Sequence, residues 1–402
     1  MTKPRLAIIS STDYKTYPMG GMMSFIVDLL PHINKSFDIT LLGVNADHTS
    51  DKNGDIELNG HKYPFKIFSG VKTCKRKIPN IVRVVYNIWI NKDEILQDGY
   101  DILYFHGIPL SFPMLLRRTT KKQSPKIVNH VHGLTNPFAV TGTRSSWNSL
   151  LANLYEKFRR WVVKKSDLIL LASDQDGHIF FTSCFPPTIS KHIKYVPNFA
   201  DPNLFRNRNK QEIRQRLGLA PDINIFISAG RLSSQKDPIL LIEAFALHKA
   251  TGGKDSHLYI IGNGELKQHL LDLIKDKDLE DNVHCLGRLE RTEITQWLSA
   301  SDVYVYTSHG NGFPIALVEA GMCALPVVTT DVTGVHDIVI HGKTGYLANN
   351  RAPMTIALHM SMALEQHRVL AKNILLQSKQ FTPDIIAQDI SSMLESTLDQ
   401  AQ

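Results

Sequence analysis

Residues 303–331, VYVYTSHGNGFPIALVEAGMCALPVVTTD, hold in order a β-branched and aromatic run, a glycine-rich loop, a short apolar helix pattern and a second β-branched run. Pro314 suits the first helical position, where the missing N–H of proline is not needed. Glu319 then falls in the second helical turn, and Asn311 in the loop before it. Pro326 breaks the helix and PVVTT resumes an extended strand. A strand, a crossover helix and a strand with no polar alternation describe a parallel sheet buried on both faces.

The same alternation extends outward through the chain. Strand candidates in the first half are RLAIIS (5–10), DITLLGV (38–44), DILYFHG (101–107), KIVNHVHG (126–133), DLILLAS (167–173) and KYVPN (194–198). INIFISAG (223–230), LYIIGNG (258–264) and VHCLG (283–287) complete the second half, with amphipathic stretches such as 239–250 and 265–275 between them. The fold expected is α/β, with two doubly wound domains. VPNFADPNLF (196–205), rich in Pro, Asn and Asp, marks the hinge. Ligands of such sheets bind at the carboxyl ends of the strands, so two facing domains would share one cleft.

Composition narrows the class. At 402 residues, 43% hydrophobic and 21% charged, the chain is a globular one with room for two cores. Runs such as 84–90 fall well short of the ~20 apolar residues of a spanning helix. Four scattered cysteines, none in a CxxC pair, suit a reducing compartment and argue against a zinc site. Residues 1–200 carry 26 Lys and Arg against 15 Asp and Glu, and residues 201–402 carry 19 against 23. The basic half suits an anionic partner, and a solvated basic surface is the alternative.

Several motifs sit where strands end. AGRLSSQK (229–236) puts Arg231 and Lys236 just past a strand, where two cations suit a diphosphate. GNGE (262–265) offers Gly262, Asn263 and Gly264 between strand and helix, a geometry in which backbone N–H groups meet anions. PMGGMMSFIVDLL (18–30) puts Gly20 and Gly21 before the first helix, where a backbone can approach a ligand closely. In NHVHG (129–133) His130 and His132 share a strand face, and His106 ends the neighbouring strand. DQD (174–176) and DKD (276–278) are short acidic matches too common to indicate a metal. WNSLLANLYEKFRRWVVKK (147–165) draws Trp147, Leu150, Leu151, Leu154, Phe158, Trp161 and Val162 into one stripe beside five basic residues. It reads as a core-packing helix, with a membrane-interface helix as the alternative. No GxSxG, HExxH or Walker sequence is present.

Together these pieces resemble the retaining glycosyltransferases of family 4, which have the GT-B fold. The resemblance runs from the glycine turn at 20–21 to about residue 348 and is densest in 225–348. It implies an N-terminal acceptor-binding domain over 1–197, joined by the C-terminal helix at 383–402. Residues 198–382 would form the nucleotide-sugar-binding domain. It makes Arg231 and Lys236 the diphosphate clamp, Gly20 and Gly21 a phosphate-covering turn, and His132 the histidine near the donor sugar. Glu319 would hold ribose hydroxyls; Asn311, Gly312, Phe313, Pro314 and Ile315 would complete the donor loop. No cofactor and no metal are implied; the nucleotide-sugar, UDP- or GDP-linked, is a substrate.

Asn311 stands where most relatives carry a glutamate that touches the donor sugar. An amide keeps an acceptor and gains donors but gives up the charge. Three readings stay open: a neutral hexose held less tightly, an anionic donor such as a uronic acid, or a decayed site. The expected activity is transfer to a glycan or a polyprenyl-diphosphate-linked saccharide, in the cytoplasm, at the inner face of the membrane where the basic half meets anionic lipid. The rivals are a non-catalytic sugar-binding partner subunit on the same fold and a nucleic-acid binder. The latter lacks aromatic-interleaved basic strands or a recognition helix.

Overall fold

The computed structural model describes residues 2–11, 14, 21–43, 54–67, 80–117, 124–133, 146–310 and 312–399. The chain divides into two compact units. The first comprises Met1–Ser173, Gly177–Pro197 and Pro383–Gln402, and the second comprises Asp174–Asp176 and Asn198–Thr382.

The first unit holds β1 (Arg5–Ile9), β2 (Asp38–Gly43), β3 (Gly54–Leu58), β4 (His61–Ile67), β5 (Ile102–His106), β6 (Lys126–Val131), β7 (Leu168–Leu171) and β8 (Ile193–Tyr195). They form one eight-stranded sheet in the order β3-β4-β2-β1-β5-β6-β7-β8. All pairings are parallel except β3 with β4. Leu103, Tyr104, Phe105, Val128 and Leu170 are fully or almost fully buried, as expected of strands covered on both faces. The C-terminal helix Pro383–Asp399 packs on the helix Gly21–Ile33, with His32 Nδ1 2.7 Å from Asp384 Oδ1.

The second unit holds β9 (Asn224–Ala229), β10 (Ser256–Ile261), β11 (Val283–Gly287), β12 (Val303–Tyr306), β13 (Val327–Thr330) and β14 (Gly345–Ala348). Their order, β11-β10-β9-β12-β13-β14, is the 3-2-1-4-5-6 arrangement of a doubly wound dinucleotide-type sheet, parallel throughout. The order reverses between β9 and β12. The crevice of such a sheet therefore opens where the loops after those two strands diverge.

Three strands escape the sequence reading. In β3 and β4 the polar GDIEL and the proline-bearing HKYPFKI dilute the apolar signal. Their turn was nevertheless legible. Asn59 and Gly60 take φ values of 48° and 76°, the left-handed pair that an Asn-Gly hairpin adopts. β14 is the short edge strand GYLA, too brief to stand out.

Gly262, just past β10, shows how tightly the carboxyl-end loops are packed. Its φ is +141°, and a Cβ there would lie 1.8 Å from Gly230 O. Gly230 N donates to Ile261 O at 2.9 Å, so the two loops are already joined by backbone. Gly262→Ala should cost about 2–4 kcal/mol, because the obstacle is a carbonyl rather than a flexible side chain. Gly230→Ala, whose Cβ would meet nothing within 4 Å, should stay within about 1 kcal/mol of wild type. Urea denaturation of the two variants checks the contrast.

Candidate active site

In the second unit the loop after β9 carries Arg231 and Lys236 at the sheet's switch point. Lys236 is held: its Nζ donates to Tyr306 Oη, at the end of β12, at 2.8 Å. Its carbonyl accepts from Thr307 Oγ1 at 3.1 Å, and Asp237 O accepts from the same hydroxyl at 2.8 Å. Arg231 is 76% exposed, with Nη2 3.4 Å from Glu265 Oε2. The two cations border a pocket whose floor includes Ser228, Ala229, Ile260 and Thr307.

Arg351, which the sequence reading missed, ties this corner together. Its guanidinium donates to Asp237 Oδ2 at 2.5 Å, Thr307 O at 2.8 Å and Ser308 O at 3.1 Å. Asp237 also caps the helix Pro238–Ala250 by accepting from Leu240 N. Arg351 follows β14 and lies far from these partners in sequence, so no local pattern could reveal it. Tyr306 was visible only as the last aromatic of its strand.

Glu319 is half-buried in the second turn of the helix Ile315–Met322, the position expected of it. Its charge reaches Cys323, whose thiol burial pushes up to about 12. Pro314 is the extended residue before that helix, at φ −79° and ψ 113°, and not its first helical residue. The ring of Phe313 is buried 5.1 Å from Phe381, and its carbonyl accepts from Asn198 Nδ2, which makes it a packing residue. Gly312 is buried and Ile315 half-buried. Asn311 and Gly20 lie outside the described residues; Gly21 opens its helix and is exposed.

Two of the three backbone amides of the GNG turn already have partners within the protein. Gly262 N donates to Gly287 O at 2.7 Å, and Gly264 N to Asn263 Oδ1 at 2.9 Å. Both glycine amides are therefore occupied. The DQD match is structural as well. Asp174, fully buried, accepts from Gly334 N at 2.7 Å and lies 2.9 Å from His336 Nδ1, while His336 Nε2 is 2.7 Å from Asp331. Burial alone would lower the His336 pKa, but hydrogen bonds and charge from Asp331 and Asp174 outweigh it and raise the value. Asp337 accepts from Gln175 N at 3.1 Å. DKD straddles a helix end: Asp276 closes the helix and Asp278 is left-handed.

The first unit brings His106, His130 and His132 together at the carboxyl ends of β5 and β6. His106 Nδ1 is 2.8 Å from His132 Nε2, and His130 Nδ1 is 2.6 Å from Tyr104 Oη. Burial lowers all three imidazoles, His132 to about 4 and the other two well below the ordinary histidine value. A ligand nitrogen from each lies within 4.8 Å of the others. Yet His130 and His132 stack at 4.2 Å with planes 9° apart. An imidazole lone pair lies in the plane of its ring, so two rings stacked face to face do not direct theirs at one ion. The arrangement therefore suits hydrogen bonding better than metal ligation.

The helix Ser146–Lys165 divides its stripe. Trp161 and Phe158 pack on the first unit's core and Val162 is buried in it, whereas Leu150, Leu151 and Leu154 are exposed. The side chain of Trp147 lies outside the described residues. Val82, Tyr86, Trp89 and Ile90 of the helix Asn80–Ile90 are exposed as well. Among the described residues no helix is long and apolar enough to cross a membrane. Residues 71–79 and Cys74 lie outside the described residues.

Residues 209–375 match the family model for glycosyl transferases group 1. The chain is 27% identical over 252 residues to N-acetyl-alpha-D-glucosaminyl L-malate synthase of Bacillus anthracis, covering 62% of each chain. It is 28% identical over 257 residues to the UDP-Gal:alpha-D-GlcNAc-diphosphoundecaprenol alpha-1,3-galactosyltransferase of Escherichia coli, covering 62% of this chain and 63% of that one. The matches thus span about three fifths of these curated relatives. A sucrose-phosphate synthase of Thermosynechococcus elongatus superposes over 100% of both chains with a TM-score of 0.80 at 17% identity, which bears out the GT-B fold.

The neutral histidines make stability acid-sensitive. An unfolded histidine takes up its proton near pH 6.5, whereas folded His132 stays neutral to about 4. Its contribution is therefore full above pH 6.5 and declines as pH falls from 6.5 toward 4, by about 1.4 kcal/mol per pH unit. His106 and His130 act in the same direction. Urea titrations at intervals between pH 7 and 5 should show this decline, and His130→Leu should flatten it by about one histidine's share.

Proposed function

Residues 209–375 belong to the group 1 glycosyl transferases, and from that premise we propose that the protein is a retaining glycosyltransferase that needs no metal. It moves a sugar from a nucleotide-sugar to a glycan or lipid-linked saccharide, in the synthesis of a surface polysaccharide or glycolipid. The observation that carries this reading is the placing of Arg231, Lys236 and the Glu319 helix around the switch point of a 3-2-1-4-5-6 sheet. There the two cations meet the donor diphosphate and stabilise the charge that builds on it as the glycosidic bond breaks. Glu319 accepts bonds from the ribose hydroxyls, a charge-assisted arrangement. The leaving phosphate itself takes the acceptor proton, so no protein nucleophile is required. In the first unit His132 is the imidazole available to hydrogen-bond a sugar hydroxyl. The naming of UDP in one relative favours a uridine donor, with GDP next.

The first unit takes the acceptor. Its exposed Tyr86, Trp89, Ile90, Leu150, Leu151 and Leu154, with Lys157, Arg160, Lys164 and Lys165 exposed farther along the second of these helices, suit the interface of an anionic membrane. This favours a lipid-linked acceptor and a cytoplasmic enzyme held at the inner membrane face.

Calorimetric titration with UDP, GDP, ADP and dTDP in EDTA tests the donor site. One nucleotide should bind, and Glu319→Ala should weaken it by roughly 10–100-fold, the loss of about 1.5–3 kcal/mol of charged hydrogen bonding. If none binds, the non-catalytic partner reading replaces this one. Co-sedimentation with anionic liposomes at low salt tests the surface. Leu150→Asp/Leu154→Asp should release the protein without loss of fold, whereas Trp161→Ala should cost about 2–3 kcal/mol of stability. No sedimentation of wild type would remove the membrane from the proposal.

A further inference from the structure

The pairing of His106 with His132 has a chemical consequence for the one of the two that is half-exposed. Their rings lie 18° from coplanar with centroids 5.1 Å apart, and Nδ1 of His106 meets Nε2 of His132 at 2.8 Å. That is an in-plane hydrogen bond between two imidazoles. Both are neutral at pH 7, so the pair shares one bridging proton, and two arrangements are possible.

If His132 donates, its proton is on Nε2, and His106 must carry its own on Nε2. That nitrogen is buried and has no partner among the described residues. The aromatic side chains against His106 include Phe25 and Tyr104, and the Tyr104 hydroxyl is engaged with His130 Nδ1. An N–H would be stranded there. If His106 donates instead, its proton is on Nδ1 and Nε2 is only a bare acceptor. Buried orphan N–H groups are rarer in native proteins than under-satisfied acceptors, so the second arrangement wins.

We infer that His106 is a positioning residue that fixes His132 as the Nδ1–H tautomer. The lone pair of His132 is then consumed by His106 Nδ1–H, and its Nδ1, which bonds to none of the described residues, is left as a hydrogen-bond donor. His132 can therefore offer a proton to an oxygen, such as a sugar hydroxyl or a carbonyl, but cannot serve as a base. The histidine stacked on it supports the same geometry: His130 lies 4.2 Å away and holds the ring flat without competing for its edge nitrogens. The inference rests on the role proposed for His132 only for its functional meaning. The tautomer itself is a property of the ligand-free protein.

Two-bond proton–nitrogen correlation spectra of protein labelled with nitrogen-15 histidine read the tautomer directly, with the His132 signals assigned by their loss in His132→Gln. At pH 7 wild-type His132 should show a protonated Nδ1 and an unprotonated Nε2. His106→Asn, whose carboxamide N–H can still donate, should keep that pattern. His106→Phe should lose it, with His132 moving to the Nε2–H form that an unconstrained imidazole favours. A protonated Nε2 on His132 in wild type overturns the inference, as does a His106→Phe protein with unchanged signals. Should His106→Phe fail to fold, the wild-type spectrum alone decides. Because no nucleotide is present, failure here leaves the transferase reading intact, and failure of nucleotide binding leaves the tautomer result intact.

Discussion

The backbone that leaves β9 is committed before any ligand arrives. Gly230 N is bonded to Ile261 O, Leu232 N to Asn263 O, and the carbonyls of Gln235, Lys236 and Asp237 to the segment that follows β12. A parallel sheet covered on both faces leaves only its strand ends for chemistry. Here those ends are bonded to one another, so the loop that carries the cations is as fixed as the sheet beneath it. The glycines of this region follow from that constraint. Gly262 gives way to Gly230 O, and Gly334 to Gly312 O at 1.8 Å from where a Cβ would be.

Much of the fold was legible because the second sheet is written in short β-branched runs, each ended by a polar turn. VYVY and VVTT are strands in full, and Glu319 lies in the turn of helix that Pro314 and the apolar spacing imply. What stayed hidden falls into two kinds. The hairpin of β3 and β4 is polar and edge-placed, so its pattern is weak although its Asn-Gly turn is explicit. Arg351, Thr307 and His336 are hidden for a different reason. Each acts by touching residues distant in sequence, and periodicity speaks only of neighbours.

The candidate site was legible in its residue types and less so in their tasks. Gly262 and Gly264 look like an anion turn, yet their amides serve the protein itself. Phe313 looks like part of a binding loop, yet its ring is core. In both cases a strand-to-helix turn must first satisfy its own backbone and packing, and sequence alone does not say how much is left over. The histidines went the other way. Two alternating positions at the end of β6 and one at the end of β5 imply a shared face, and the three rings do meet there, His130 stacked on His132 and His106 bonded to its edge.

The two cations near β9 differ in a way that matters for electrostatic stabilisation. Lys236 is held at its ammonium by Tyr306, at its carbonyl by Thr307, and through Asp237 by Arg351. Arg231 extends from the same loop with most of its surface in water and one loose carboxylate neighbour. A charge that is already oriented loses nothing in reorganisation when an anion forms beside it, whereas an exposed one must first be ordered and desolvated. Lys236 is therefore the preorganised part of this corner, and Arg231 the part that adapts to what is bound. The same division recurs in the first unit, where burial keeps three imidazoles neutral and their mutual contacts hold them still, leaving hydrogen bonding rather than charge as what they offer.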